Sequence, residues 1–265
     1  MKEYLTNPSS TQSTILKDGL NKLKRSGYIP KYLCQVMFGS QETFHAVAYS
    51  YLNETLGLEN FEAFLHEPTT SERFDNLVAY SGNDPSGIGR SLAIFSAFAE
   101  GVSLYSAFAV LYSFQLRNLL KGIGQQMKWS VRDESLHSKM GCQLFRHMCE
   151  ESPNLLEECR DDVIKAADTM LQAEERYIDK MFEQGDIENL KAYDLKQFIR
   201  KRLNEKLYEL GYVDLGLYFA FDDKGASNLD WFYHLTGGHT HTDFFAIRPT
   251  DYSKANEGED FEDIW

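Results

Sequence analysis

The chain has 265 residues, 43% of them hydrophobic, which is enough for one large domain or two small ones. Its formal net charge of −13, with no basic stripe to offset it, argues against a nucleic-acid-binding protein. The N-terminus lacks the apolar core of a secretory signal, and the four cysteines form no CxxC pair. We therefore expect a cytoplasmic protein with reduced thiols.

The apolar pattern predicts a mostly α-helical fold, because proline is scarce and long stretches run without it. Residues 57–90 are expected to be irregular with short helical pieces, including a loop over 83–89. The glycines at 122 and 124 are expected to separate two helices, and the pattern weakens after Gly211. The predicted helices span, in chain order, residues 14–25, 30–56, 91–121, 125–151, 155–184 and 190–210.

Residues 91–114 are apolar on every helical face, and Glu100 is their only side chain that is charged at neutral pH. Such a helix is buried in a large core or spans a membrane. Glu100, the lack of a strong flanking positive cluster and the lack of a second span favour the core, so no membrane association is expected. A buried carboxylate is costly unless it is paired, hydrogen-bonded or bound to a metal ion.

Two Glu-x-x-His pairs, Glu42 with His45 and Glu134 with His137, fall inside predicted helices. A spacing of three places carboxylate and imidazole on one helical face. Together with Glu100, the pairs match the ligand pattern of a ferritin-like di-metal carboxylate site. These donors suit iron or manganese. The alternative is that both pairs are solvated helix faces and that Glu100 faces a small polar pocket.

Two further residues are candidates for a role at this site. Tyr49 follows the first Glu-x-x-His pair on the same helical face, although it could also be an ordinary core tyrosine. Asp133 could accept a hydrogen bond from a ligating imidazole, although it could also be an ordinary surface aspartate. The two histidines in residues 239–241 lack a partner at a fixed spacing and are not expected to bind metal.

Three stretches resemble the small, radical-generating subunit of class I ribonucleotide reductase, and the resemblance runs from about residue 28 to the C-terminus. They are QETFHAVAYSYLNETLGLENF (41–61), FSAFAEG (95–101) and SVRDESLHSKMGCQLF (130–145). The first is most similar to versions carried by bacteriophages. The family's Glu-x-x-His-x-x-x-Tyr, lone buried Glu and Arg-Asp-Glu-x-x-His motifs are matched by Glu42, His45 and Tyr49, by Glu100, and by Arg132, Asp133, Glu134 and His137.

The resemblance implies an all-α, ferritin-like bundle over residues 1–245, with two iron or two manganese ions. It implies that these ions use oxygen or a reduced oxygen species to oxidise Tyr49 to a stable radical. The hole would pass through Asp133 and Tyr252 to a separate large subunit, which reduces ribonucleotides to deoxyribonucleotides. The tail, residues 246–265, would dock on that subunit, and a homodimer is implied. The alternative for the tail is a disordered acidic segment.

The sequence departs from the family at the N-terminus. The family places a sixth ligand, Asp or Glu, on a helix before the first Glu-x-x-His pair, but the corresponding region around Thr11 has no carboxylate. Asp18 is the nearest candidate. The N-terminal bundle helix is therefore expected to be short or missing. Either a separately encoded N-terminal chain completes the site, or Asp18 does so through a shortened connection, or the centre is degenerate.

Two other functions are compatible with the same residues. Another ferritin-like di-iron oxidase or oxygenase would share the ligands but would not need Tyr49 or Tyr252. A non-catalytic helical protein or iron store would tolerate alanine at Glu100.

Overall fold

The computed structural model describes residues 31–57, 66–78 and 84–236, and these ranges are almost entirely helical, as predicted. Within them, two helical segments of other types accompany the α-helices: a π-helix, Phe95–Ser103, hereafter the π segment, and a 3₁₀ turn, Val213–Leu215. The α-helices of the described residues are α1 Lys31–Thr55, α2 Pro68–Val78, α3 Pro85–Ile94, α4 Tyr105–Leu116, α5 Lys121–Glu151, α6 Leu155–Met181, α7 Ala192–Leu210, α8 Asp223–Ser227 and α9 Asp230–Thr236.

The rod formed by α3, the π segment and α4 lies at the centre of the described fold. It packs against α5 along its length, α7 covers the π segment, and α6 packs on α3. Residues 85–116 are long and apolar enough to cross a membrane, but 72% of their most apolar stretch is buried inside the protein. This burial is the pattern of a core helix, in agreement with the prediction for residues 91–114.

The predicted loop over residues 83–89 was wrong, because α3 already begins at Pro85. Asp84 is its N-cap, and the Asp84 carboxylate accepts a hydrogen bond from the Gly87 amide at 3.2 Å. Proline suits the first helical position, so the Asp-Pro pair starts a helix here and does not mark a turn. Gly89 allows a close helix contact, since a Cβ there would lie 3.1 Å from Leu155 Cδ1.

The predicted helix break at the glycines of residues 121–124 was also wrong. The break comes earlier, where Asn118 and Leu120 adopt positive φ angles of 62° and 48°, and α5 begins at Lys121. Gly124 permits a close approach to the end of α4, because a Cβ there would lie 2.2 Å from Gln115 Oε1. Gly124 therefore marks close packing between α4 and α5 and not the end of a helix.

A buried ion pair ties α2 and α4 to α6. Arg73 Nε donates to Glu174 Oε1 at 2.5 Å, and Ser106 Oγ donates to Glu174 Oε2 at 2.7 Å. The Glu174 side chain is fully buried, and the Arg73 guanidinium lies 4.0 Å from the Tyr177 ring centroid. Arg73 also donates through Nη2 to the carbonyl oxygen of Ser103, at the end of the π segment.

Replacing Arg73 with methionine should lower the free energy of unfolding by about 3–5 kcal/mol, because a buried carboxylate loses its cation. Burial raises the pKa of Glu174 and Arg73 opposes that rise, so the variant should raise this pKa further. A carboxyl whose folded pKa lies above its unfolded pKa destabilises the fold increasingly as pH rises. Urea unfolding should therefore show a larger loss at mildly alkaline than at mildly acidic pH.

The matched control is Arg176→Met, which removes an ion pair between α6 and Glu72 on the surface. Exposed pairs contribute at most about 1 kcal/mol, so this variant should change stability little. Equal losses in the two variants, or a loss at Arg73 that does not depend on pH, would contradict the prediction.

Candidate metal centre

Three elements bring five acidic and imidazole side chains together. Glu42 and His45 come from α1, Glu100 from the π segment, and Glu134 and His137 from α5. Ligand atoms of Glu42, Glu100, Glu134 and His137 all lie within 4.8 Å of one another. The spacing of three in each Glu-x-x-His pair aims both of its side chains at the neighbouring helix, as the sequence predicted.

Both imidazoles present Nδ1 to the carboxylates. His45 Nδ1 lies 3.1 Å from Glu134 Oε1 and 3.9 Å from Glu42 Oε2. The distances from His137 Nδ1 are 3.1 Å to Glu134 Oε2, 3.2 Å to Glu42 Oε1 and 3.7 Å to Glu100 Oε2. The ring centroids of His45 and His137 are 6.4 Å apart, and Glu134 uses one oxygen for each ring. The cluster thus has two halves that share Glu134.

The cluster is buried on one side and open on the other. The exposed fractions of the side chains are 3% for His137, 6% for Glu134 and 13% for Glu100. Glu42, on α1, is 54% exposed.

Electrostatics at the cluster favour a bound cation. Burial raises the pKa of Glu100 to about 8. Burial acts in the same direction on Glu134, but hydrogen bonds with His137 and His45 outweigh it and hold the pKa of Glu134 below its ordinary value. Hydrogen bonds to Asp133 and Glu134 raise the pKa of His45 to about 10.

For His137, burial lowers the pKa, but hydrogen bonds to the surrounding carboxylates, Glu100 foremost, raise it to about 11. Protonated imidazoles therefore balance the carboxylates of the metal-free protein. A metal ion can take over this positive charge, because it binds neutral imidazole and ionised carboxylate. The donor set of imidazole nitrogens and carboxylate oxygens fits iron or manganese.

The outward-facing nitrogen of each imidazole has its own partner. His45 Nε2 lies 3.3 Å from Asp133 Oδ2, which places Asp133 where the sequence analysis expected a hydrogen-bonding partner. His137 Nε2 lies 2.7 Å from Gln41 Oε1. The sequence analysis missed Gln41, although it precedes His45 by four residues and so lies on the same face of α1. Partners of this kind fix the tautomer and the ring orientation of a ligating histidine.

Replacing Gln41 with leucine should weaken metal binding by about 10–100-fold, because the Nε2–H of His137 loses its acceptor. Titration of the metal-free protein with Mn²⁺ measures the change. Gln143→Leu, at an exposed position on α5, is the control and should bind as the unchanged protein does. Equal affinities for the two variants would rule out this role for Gln41.

Tyr49 lies one turn after His45 on the side of α1 that faces α5. The Tyr49 hydroxyl donates to Ser130 Oγ at 2.8 Å. Burial raises the pKa of Tyr49 to about 12, and the charges of Glu134 and Glu42 add to the rise. The phenol is therefore protonated at neutral pH and oriented by Ser130. The sequence analysis missed Ser130, although it lies four residues before Glu134 on the same face of α5.

The remaining predicted residues lie outside the part of the chain that the structure describes. They are Asp18, the histidines of residues 239–241, Tyr252 and the tail, residues 246–265.

Comparison with known proteins agrees with the fold and with the cluster. The protein-family model "Ribonucleotide reductase, small chain" matches residues 23–215. The chain is 34% identical over 244 residues to a protein of Invertebrate iridescent virus 3 that is assigned as a ribonucleoside-diphosphate reductase small subunit. That alignment covers 83% of this chain and 62% of the viral protein.

A ribonucleoside-diphosphate reductase subunit beta of Chlamydia pneumoniae is 24% identical over 241 residues, which are 85% of this chain and 67% of that protein. The fold matches a crystal structure of a Bacillus halodurans protein assigned to class I ribonucleotide reductases, with a TM-score of 0.65 at 19% identity. This match covers 83% of this chain and 84% of the other, and it confirms the ferritin-like helical fold. Because the family model matches residues 23–215, well over half of the sequence, the chain belongs to the ribonucleotide reductase small chain family.

Proposed function

We propose that this chain is the radical-generating subunit of a ribonucleoside-diphosphate reductase. The observation that carries the proposal is the convergence of two Glu-x-x-His pairs and Glu100 on one largely buried cluster. Tyr49 stands one turn from this cluster, in a site that keeps its phenol protonated. Membership in the small chain family supports the proposal.

The proposed ligands of two iron or two manganese ions are Glu42, His45, Glu100, Glu134 and His137, with a sixth ligand from Asp18 or from a separately encoded N-terminal chain. When bound, the ions supply an oxidant, drawn from oxygen or a reduced oxygen species, that is strong enough to oxidise a phenol.

Tyr49 is the residue that we propose to be oxidised. It would give up one electron and one proton to that oxidant, while the hydrogen bond to Ser130 orients the phenol. The partly buried position of the phenol limits the access of water and reductants to the radical.

Asp133 is placed to connect the cluster with the protein surface. Its carboxylate contacts His45 Nε2 and is 31% exposed. We propose that the hole leaves through His45 and Asp133, continues to Tyr252 and enters a large subunit on which residues 246–265 dock. There it starts the reduction of ribonucleotides, in the cytoplasm.

A second copy of this chain is the proposed cover for an exposed apolar strip on α1. The strip consists of Phe44, Val47 and Tyr51, whose exposed fractions are 71%, 63% and 70%. Exposed apolar side chains grouped on one face are typical of interaction surfaces. Light scattering should give the mass of two chains, and the mass of one chain would contradict the proposal.

The test of the function is anaerobic loading with ferrous iron, followed by oxygen. Metal analysis should find about two ions per chain, as in other ferritin-like di-metal sites. Electron paramagnetic resonance should then show a tyrosyl signal. Little metal and no signal would contradict the proposal for this chain alone and would direct the search to a chain that supplies the sixth ligand.

A further inference from the structure

Glu100 lies in the π segment, where the backbone hydrogen bonds span one residue more than in an α-helix. Helices of this type are rare, usually single-turn features, and frequently occur at functional sites. The π segment is closely packed, since a Cβ at Gly101 would lie 2.6 Å from Ser138 Oγ and 2.8 Å from Lys206 Cε. A Cβ at Gly141, on α5, would lie 1.9 Å from Ser96 Oγ. The backbone next to Glu100 therefore has little room to move toward α5 or α7.

Arg202, on α7, binds the backbone directly beside Glu100. Its Nε and Nη2 donate to the carbonyl oxygen of Gly101 at 2.9 Å and 2.7 Å. A carbonyl oxygen has two lone pairs, so this one guanidinium occupies both. The Gly101 carbonyl is thus bound by a side chain of another helix.

The guanidinium of Arg202 is itself held in a fixed place. It is buried, its Cζ lies 3.4 Å from the ring centroid of Tyr105, and its Nη1 donates to the Tyr233 hydroxyl at 2.8 Å. Arg202 thus donates through all three guanidinium nitrogens, in a forked geometry that lysine cannot reproduce. Arg73 makes a similar contact two residues further on, at the Ser103 carbonyl.

We propose that Arg202 is a positioning residue for Glu100, because its forked contact with the Gly101 carbonyl keeps the π segment in the form that aims the Glu100 carboxylate at His137. This role rests on the proposed function, since it assigns Arg202 to the half of the metal centre that contains Glu100 and His137. Arg202 does not touch the metal ligands through its side chain and acts through the backbone.

The test is the replacement of Arg202 by lysine, which keeps the cation but cannot donate two parallel N–H groups to one oxygen. Titration with Mn²⁺ alone should show one of the two ions bound about 10-fold more weakly, a size typical of positioning contacts at metal sites. The other ion, on the side of His45, should bind as before. Loss of general stability would weaken both ions and would not produce this asymmetry.

A double-mutant cycle with Glu100→Gln shows whether the effect runs through Glu100. In the Glu100→Gln protein, titrated to high Mn²⁺ concentration, adding Arg202→Lys should not weaken the ion on the side of His137 any further. The matched control is Arg200→Lys, the same change two residues earlier on α7, where the guanidinium binds Glu175 and the Ala220 carbonyl. It should leave both ions unaffected.

Hydrogen exchange of the metal-free protein gives a second readout that does not depend on metal. Peptides covering residues 95–108 should exchange faster in Arg202→Lys than in Arg200→Lys. If Arg202→Lys does not fold, Tyr233→Phe is the substitute, because it removes only the hydroxyl that orients Arg202. The Mn²⁺ affinity and the exchange rate should then change in the same direction but by less.

Two Mn²⁺ ions bound with unchanged affinities in Arg202→Lys, or equal weakening of both, would overturn the positioning role and leave the proposed function intact. An unchanged protein that binds no Mn²⁺ would overturn the proposed function and, with it, the metal role of Arg202. The exchange rates would then still show whether Arg202 holds the π segment.

Discussion

Replacing Tyr49 with phenylalanine is expected to remove the tyrosyl signal and to reduce turnover with the large subunit to background, while about two metal ions per chain remain. Phenylalanine lacks the hydroxyl whose electron and proton are lost, and Tyr49 is not among the proposed metal ligands. The lost hydrogen bond to Ser130 should cost only about 1 kcal/mol of stability. Electron paramagnetic resonance, metal analysis and turnover measure the three quantities.

Two tyrosines serve as controls for this variant. Tyr208→Phe changes an exposed tyrosine on α7 and should keep both signal and turnover. Tyr252→Phe should keep the signal and lose turnover, because its proposed role begins after the radical has formed. A signal that survives in Tyr49→Phe would place the radical elsewhere, and normal turnover in Tyr252→Phe would exclude the relay and favour another ferritin-like oxidase.

Replacing Glu100 with glutamine is expected to lower metal content from about two ions to about one per chain. The amide keeps the size of the side chain but is a poor ligand for a hard cation. Without metal, the same change should not lower the thermal midpoint, because burial raises the pKa of Glu100 to about 8 and the amide then replaces a mostly neutral carboxyl of the same size. The variant should therefore be impaired only when metal is present.

Thermal unfolding with and without Mn²⁺ tests this difference. A ligand at about 100 times its dissociation constant stabilises the folded state by about 2.7 kcal/mol per site. The metal-dependent rise should thus be smaller in Glu100→Gln than in the unchanged protein. Glu205→Gln, at an exposed position on α7, should show the full rise. An equal rise in Glu100→Gln would remove Glu100 from the proposed ligands.

Residue spacing predicted much of the candidate site, because the relevant geometry is local. In Glu42–His45 and Glu134–His137, a helical turn alone sets which side chains point the same way. For Asp133 the sequence left two alternatives open, a hydrogen-bonding partner of an imidazole and an ordinary surface aspartate. It could not decide between them, because the contact with His45 depends on how α1 and α5 pack. Gln41 was missed for the same reason, since its partner His137 lies 96 positions away in sequence.

Helix boundaries were less predictable, because glycine and proline have more than one structural use. Pro85 begins a helix, although the sequence pattern predicts a loop there. Gly124 allows two helices to approach closely, although the pattern predicts a helix break. The π segment could not be predicted from local sequence at all. Its hydrogen bonds differ from those of an α-helix by one residue, and its partner Arg202 lies 101 positions beyond Gly101.

The extra residue in the π segment has a consequence for the hydrophobic pattern around it. Each residue of an α-helix turns the chain by about 100°, so one added residue shifts the phase of everything that follows. Residues 85–94 and 105–116 therefore follow two helical registers, so the core-facing positions of the first segment do not predict those of the second.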